Sequence, residues 1–545
     1  MAESRTAELF NQSPPFADVD LFACDVPLQE AVKANGGSAP AFVLSAFGRH
    51  WGSAAMLEQG RLANENPPRL RATDEKGARL DIVEFHPAYH AFMTESMKSG
   101  LHNMTWRPDG TRAGAPSEVA RAARYYMVAQ IENGHMCPIT MTRASIAALA
   151  AEPALCAALM PKLAGHAYDP AFKSWKDKTA MTIGMGMTER QGGTDVRTNM
   201  TRAEQTSDGY VVNGEKWFMS APMCDGFLVL AQAKGGLTCF FMPRFQPDGS
   251  VNGLHFRKLK DKLGNQSNAS SEVEFHNAYA QRVGGEGAGI RTIIEMVQLT
   301  RLDCAIASAG LMRMALAQAL HHSRHRTVFQ KKLVDQPMMR SVLADLALTM
   351  EGIVALVMRL CHAFDHAASD PEEAAYARLL TPVVKYFVCK RAPGFVYEAM
   401  ECLGGNGYVE DTTMMGRLYR EAPVNAIWEG SGNVMGLDML RALSRDSEAA
   451  QQVIANLVEQ AGDLPGVRDA VSRIAATLRG PEAESHGRYM IEQLALLAAC
   501  AALRRQAPSE IVESFAQSQF GARGFMYGST KISSTDAVFN RLLAN

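Results

Sequence analysis

Along residues 1–180 the apolar positions recur at helical spacing. The segments 117–132 and 145–163 are rich in Ala, Leu, Met and Arg, all strong helix formers. Ser117-Glu118 stands before an apolar run as a helix start, and Asn66-Pro67-Pro68 marks a joint between helices. The pattern changes near Met181. From there to Val283 the chain carries short β-type runs between turn signals: Tyr210-Val211-Val212, Phe227-Leu228-Val229-Leu230, Leu237-Thr238-Cys239-Phe240-Phe241 and the period-two stretch Glu272-Val273-Glu274-Phe275. After the glycine-rich turn at 284–289, helical spacing returns. Tyr376, Leu379, Leu380, Val383, Val384, Phe387 and Val388 form one apolar stripe, while Pro382 and Pro393 predict kinks in that region. The predicted fold is mostly α with a central β domain. A helical N-terminal domain covers 1–180, a β-barrel or sandwich 181–285, a four-helix bundle 286–445 and an extra C-terminal helical domain 446–545.

Composition narrows the function classes. A chain of 545 residues with 47% hydrophobic and 21% charged residues is an ordinary globular composition, long enough for several cores. Its net charge of −2 gives the whole chain no bias toward nucleic acid or anionic membrane. No apolar leader follows the first residues, and the stretch 494–503 is about half the length of a membrane span. The ten cysteines are scattered and form no C-x-x-C pair, which predicts reduced thiols and a cytoplasmic home.

Five segments carry candidate chemistry. In Met187-Thr188-Glu189-Arg190-Gln191-Gly192-Gly193-Thr194-Asp195 a glycine pair lets backbone approach a flat ligand, and two threonine hydroxyls suit the polar edge of an isoalloxazine. A plain Gly-Gly turn explains that segment equally well. Asn213-Gly214-Glu215-Lys216-Trp217-Phe218-Met219-Ser220 brings an aromatic and a hydroxyl after a hairpin turn, and fits a simple hairpin too. Arg326 offers a guanidinium for a pyrophosphate, or merely a solvated helix face. His321 and His325 have metal-ligand spacing but no accompanying carboxylate, so no metal is predicted. Glu401-Cys402-Leu403-Gly404-Gly405-Asn406-Gly407-Tyr408 ends a helix in glycines that cap it or cradle a phosphate, without a Rossmann pattern. Glu429, between Trp428 and Gly430, reads either as a surface turn or as a base with a raised pKa in an apolar pocket.

Taken in this order, the segments resemble the acyl-CoA dehydrogenase superfamily over about residues 150–445. The family pattern T-E-x-x-A/G-G-S/T-D matches Thr188 to Asp195. Its R-x-x-F-G is Arg326 to Gln330, with Gln330 for the last Gly. Its Q-x-x-G-G-x-G-Y/F is Glu401 to Tyr408, with Glu401 for Gln, and its Y-E-G-T/S is Trp428 to Ser431. Arg61-Leu62-Ala63-Asn64-Glu65-Asn66-Pro67-Pro68, Cys137-Pro138-Ile139-Thr140-Met141-Thr142 and the C-terminal region resemble the AidB-type branch, which is associated with the response to DNA alkylation.

The resemblance implies FAD as cofactor, α,β-dehydrogenation of a short or branched acyl-CoA, hydride transfer to the flavin, and Glu429 as catalytic base. Some members carry that base on an earlier helix, where this chain has Leu299-Thr300-Arg301 and no carboxylate. It further implies flavin contacts at Met185, Met187, Thr188, Gly193, Thr194, Phe218, Met219 and Ser220, and at Ile427, Trp428, Gly430, Ser431 and Asn433. Arg326, Gly404 and Gly405 are implied to reach FAD across a subunit interface, in a homotetramer built as a dimer of dimers, with electron transfer flavoprotein as acceptor. Trp428 stands where Tyr is usual and narrows the expected pocket. The branch also implies an alternative: a flavoprotein binding duplex DNA in the alkylation response, with little or no dehydrogenase turnover. Arg441, Arg445, Arg504 and Arg505 are its candidate phosphate contacts, although residues 446–545 hold nine Lys/Arg against eleven Asp/Glu.

Overall fold

The computed structural model describes residues 10–36, 40–479, 482–521, 524 and 526–543. The first part is helical, as its spacing predicts. Asp25 opens the first helix, Val26–Asn35, by accepting from Leu28 N at 3.1 Å, and Ser117–Ala129 begins where the Ser-Glu signal lies. The stretch expected as one helix over 145–163 is two, Met136–Leu149 and Pro153–Leu163. Pro153 has no N–H to continue the first helix and supplies the start of the second. A hairpin interrupts the helices, β1 (Arg69–Thr73) against β2 (Arg79–Glu84), turned by Asp74 and Gly77.

The middle part holds seven strands: β3 (Ile183–Gly186), β4 (Arg202–Gln205), β5 (Tyr210–Ser220), β6 (Gly226–Ala233), β7 (Gly236–Pro243), β8 (Leu254–Leu259) and β9 (Ser270–Val283). The pairings β5–β4–β6–β7–β9–β5 close into a ring, so a barrel rather than an open sandwich forms. β6 is covered on both faces over most of its length and reads as an unbroken apolar run, whereas β5 alternates. β3 runs parallel to β6 and touches β5 at one pair, Met185 with Ser220.

Four helices then pack as a bundle: Gly289–His325, Pro337–His366, Pro371–Glu401 and Gly432–Arg445. Helix Pro371–Glu401 is assigned without a break through Pro382 and Pro393, although each proline removes one N–H from the ladder. Pro337–His366 is long and apolar enough to cross a membrane, but 89% of its most apolar window is packed inside the protein. Five further helices follow among the described residues, and Gly487–Arg504 and Thr535–Leu543 lie against the bundle.

A buried ionic cluster joins the first part to the bundle. Arg121 holds Asp303 through both guanidinium ends at 2.7 Å, and Arg143 bridges Asp303 at 3.0 Å and Glu118. None of the four is more than 1% exposed. Such a cluster costs desolvation on assembly and is strongly destabilising to break, so it fixes the relative placement of Ser117–Ala129, Met136–Leu149 and Gly289–His325. That seam forms one wall of the cleft described next.

Candidate active site

A cleft of about 530 Å³, including its open mouth, lies where the barrel, the N-terminal helices and the bundle meet. Met185 and Ser220 border it from β3 and β5, Thr300 from the first bundle helix, and Trp428 and Glu429 from the turn before the last. The motifs separated by more than two hundred residues in sequence thus share one cavity.

Glu429 sits in a left-handed backbone conformation, φ 58°, and Gly430 follows at φ 107°. A non-glycine residue there is strained, and the strain is held by surrounding bonds. Arg301 Nε donates to the Glu429 carbonyl at 3.0 Å and is itself anchored by Asp438 at 2.6 Å. The buried Lys385 ammonium donates to the carbonyls of Trp428 (2.9 Å) and Gly430 (2.5 Å). Trp428 Nε1 donates to Asn425 Oδ1 at 2.9 Å, which pins the indole against the cleft. Three consecutive peptides are therefore clamped by two cations and a helix.

The clamp aims the Glu429 carboxylate at the cleft, where it accepts from Thr300 Oγ1 at 2.7 Å. The two positions at which the family places its base, one occupied here by Thr and the other by Glu, are in direct contact. Burial pushes the Glu429 carboxyl above the usual carboxylate range, while the Thr300 hydrogen bond and the charges of Arg301 and Lys385 pull the other way.

On the barrel side, Trp217 N donates to Thr188 O at 2.8 Å, which couples the two β-domain motifs. A side chain at Gly193 would place its Cβ 2.3 Å from Thr188 Oγ1, so anything larger than glycine must displace Thr188. Phe218 is 45% exposed, beside the Met185–Ser220 pair. Among the described residues, the hydroxyls of Thr188, Thr194 and Ser220 have no hydrogen-bond partner within the chain. Met187 is half-buried, while Met219 turns its side chain wholly into the barrel core and leaves only backbone toward this face.

Glu189 gained no role from sequence, yet it holds the loop in place. It accepts from Lys216 Nζ (2.7 Å), Met200 N (2.6 Å) and Thr201 N (3.2 Å). Lys216 is 1% exposed inside the barrel. The signal was present as two charged residues, one in each motif, but a local reading does not pair charges 27 positions apart.

Family models match along most of the chain. Residues 11–170 match "Adaptive response protein AidB N-terminal domain", 184–278 match "Acyl-CoA dehydrogenase, middle domain", and 287–444 match "Acyl-CoA dehydrogenase, C-terminal domain". "Putative acyl-CoA dehydrogenase AidB" of Escherichia coli (strain K12) is 46% identical over 522 residues, covering 95% of each chain. This chain belongs to the acyl-CoA dehydrogenase family. "Acyl-CoA dehydrogenase family member 11" of Caenorhabditis elegans is 32% identical over 71% of this chain and 64% of its own. The structure of Caenorhabditis elegans ACDH-11 in complex with C11-CoA superposes with a TM-score of 0.82 at 24% identity, over 100% of this chain and 94% of that one.

The remaining residues that the family resemblance singled out fall elsewhere. Arg326 Nη1 donates to Asn11 O at 2.8 Å, and Asn406, next to Gly404 and Gly405, donates to Gln12 Oε1 at 3.0 Å. The segment at Asn11 and Gln12 thus brings Arg326 and the glycine turn to one exposed face. Gly404 has φ 61°, and nothing lies within 4 Å of a Cβ built on Gly404 or Gly405. His321 and His325 on the same helix bond the carbonyl of Pro14 and that of His321 respectively. Ile427 is 64% exposed, Ser431 is exposed, and Asn433 accepts from Arg488 Nε at 2.8 Å. Of the four extension arginines, Arg504 is held by both oxygens of Asp463 and by Gln460 O. Arg505 lines a separate polar cavity with Arg359, Glu373 and Tyr376, while Arg441 and Arg445 are exposed at the end of helix Gly432–Arg445.

Proposed function

We propose that this protein is an FAD-dependent oxidoreductase that dehydrogenates a short or branched acyl-CoA, with Glu429 as the base. One observation carries the reading: a clamped, half-buried carboxylate with a raised pKa faces a cleft that the unpartnered Ser220 hydroxyl also lines. Thr188, Thr194 and Ser220 fit the polar edge of an isoalloxazine, Gly193 admits a flat ring close to backbone, and Phe218 offers it a stacking face.

Thr188, Gly193, Thr194, Phe218 and Ser220 would hold FAD, which would supply the acceptor for a hydride from the acyl Cβ. Glu429 takes the Cα proton at a carboxylate oxygen. Its raised pKa makes it a stronger base than a free carboxylate, and the Thr300 hydroxyl stabilises the ionised form that must be present beforehand. Trp428, pinned through Asn425, fills cleft space and favours a short acyl group. Family membership supports electron transfer flavoprotein as the acceptor, and the unpaired cysteines fit a reducing compartment such as the cytoplasm.

We also propose a homotetramer in which Arg326 and Gly404–Gly405 serve a neighbouring subunit's cofactor. Their shared face carries Phe329 at 90% and Tyr408 at 83% exposure, apolar area that a lone chain leaves in water. Duplex-DNA binding stands as the second reading. Exposed Arg441 and Arg445 favour it, whereas Arg504 is neutralised by Asp463.

Purified protein titrated with FAD and then mixed without oxygen with acyl-CoA thioesters of about two to eight carbons tests the reading. Flavin binding followed by bleaching with a short or branched member is expected; flavin binding with no bleaching by any thioester refutes it.

A further inference from the structure

Residues 11–16 lie along the C-terminal end of helix Gly289–His325 and are fastened there at successive points. The Asn11 side chain grips one residue from both sides: its Nδ2 donates to Thr327 O at 2.8 Å, and its Oδ1 accepts from Thr327 N at 2.7 Å. His321 Nε2 donates to Pro14 O at 2.8 Å, and the Phe16 and His321 rings meet with centroids 5.2 Å apart. Asn11 has φ 59°, a left-handed conformation that asparagine tolerates better than most residues. Its amide serves the short strand pair Thr327–Val328 and Lys331–Lys332 as the peptide of a neighbouring strand would. Thr327 is only half-buried, so water would satisfy the same two backbone groups. The anchor is therefore not needed to pay for burial; it fixes orientation.

What it orients is the preceding residue. Arg326 Nη1 donates to the Asn11 carbonyl at 2.8 Å. Among the described residues this is the one hydrogen bond of that guanidinium, and no carboxylate pairs with it. One position on, Gln12 Oε1 accepts from Asn406 Nδ2 at 3.0 Å, beside Gly404 and Gly405, where a built Cβ meets nothing within 4 Å. Asn11 and Gln12 thus tie an unneutralised guanidinium to a glycine turn with open space above it. Both features fit a diphosphate.

We infer that Asn11 is a positioning residue of the cofactor site: its side chain clamps Thr327, its carbonyl holds Arg326, and together they aim the guanidinium at the diphosphate of a neighbouring subunit's FAD. The inference rests on the reading of Arg326 given above and extends it to the N-terminal segment. A long side chain loses rotamer freedom when it binds a ligand. One that is braced beforehand has already lost it, so affinity is higher by that difference.

A double-mutant cycle in FAD affinity tests this. Full-length wild type, Asn11→Ala, Arg326→Met and the double variant, each freed of flavin, are titrated with FAD. Binding is read from quenching of flavin fluorescence, and subunit assembly from sedimentation at the same concentrations. Asn11 is half-buried at the surface, so its truncation leaves the core untouched. Arg326→Met should weaken FAD by about ten-fold or more, the loss of a charged hydrogen bond. Asn11→Ala should weaken it by about three-fold or more, the cost of ordering one long side chain, with assembly unchanged. In the double variant the Asn11 factor should vanish, because the group it aims is gone; a residue that merely supports the fold would keep its factor. Unchanged affinity in Asn11→Ala, factors that multiply in the double variant, or weakening only where the subunits dissociate overturns the inference and leaves the reading of Arg326 standing. Unchanged affinity in Arg326→Met overturns that reading, and this one with it.

Discussion

The Thr300–Glu429 contact gives a quantitative handle on the base. Thr300→Val keeps shape and removes the hydroxyl that donates to the carboxylate at 2.7 Å. A hydrogen bond to a charged group contributes about 1.5–3 kcal/mol. Two features put this one at the lower end. The single hydroxyl hydrogen is shared with Val297 O at 3.0 Å. Once protonated, Glu429 can itself donate into Thr300 Oγ1, so part of the contact survives in the acid form. At about 1.4 kcal/mol per pKa unit, the shift is about one unit upward. The sign follows from the role. The base works ionised, Glu429 already has a raised pKa, and a further rise moves the acidic limb of kcat/KM to higher pH, with activity lost earlier as pH falls. Steady-state pH profiles of wild type, Thr300→Val and Thr300→Ser measure this, the serine variant keeping the hydroxyl and the wild-type limb. An unmoved or downward-shifted limb in Thr300→Val would refute the proposed contact between hydroxyl and working base.

Other consequences are open to direct measurement. Lys385→Met leaves the carbonyls of Trp428 and Gly430 unmet in a buried site, so thermal unfolding should shift down by several degrees, reflecting about 3 kcal/mol, with kcat lowered as the Glu429 turn loosens. Gly193→Ala forces Thr188 aside and should lower the bound flavin-to-protein ratio with little change in circular dichroism; full flavin loading would remove Gly193 from the cofactor face. If duplex DNA binds, log affinity should fall steeply with log salt, and Arg441→Ala with Arg445→Ala should flatten that slope by about one unit each, whereas Arg504→Ala should not.

The order helical, barrel, bundle and helical was legible because each part has its own hydrophobic period. The hairpin Arg69–Thr73 with Arg79–Glu84 was not, because its strands are short, half-exposed and set among helices. Barrel closure was invisible for another reason: pairing of β5 with β9 joins residues some sixty positions apart, and alternation along one strand does not name its neighbour. Of the cleft lining, Glu429 and Ser220 lie in motifs that were readable locally. Lys385, Arg301 and Asp438, which hold the Glu429 turn, were not, since each lies in a helix where a charge at that position suits a solvated face.

The central claim is that Glu429 removes the proton. Rapid anaerobic mixing of FAD-loaded wild type and Glu429→Gln with one competent acyl-CoA tests it most directly. Flavin bleaching in the wild type and a rate lower by about 10²–10⁴-fold in the variant, with FAD still bound, is the predicted result. Bleaching at the wild-type rate in Glu429→Gln would contradict it.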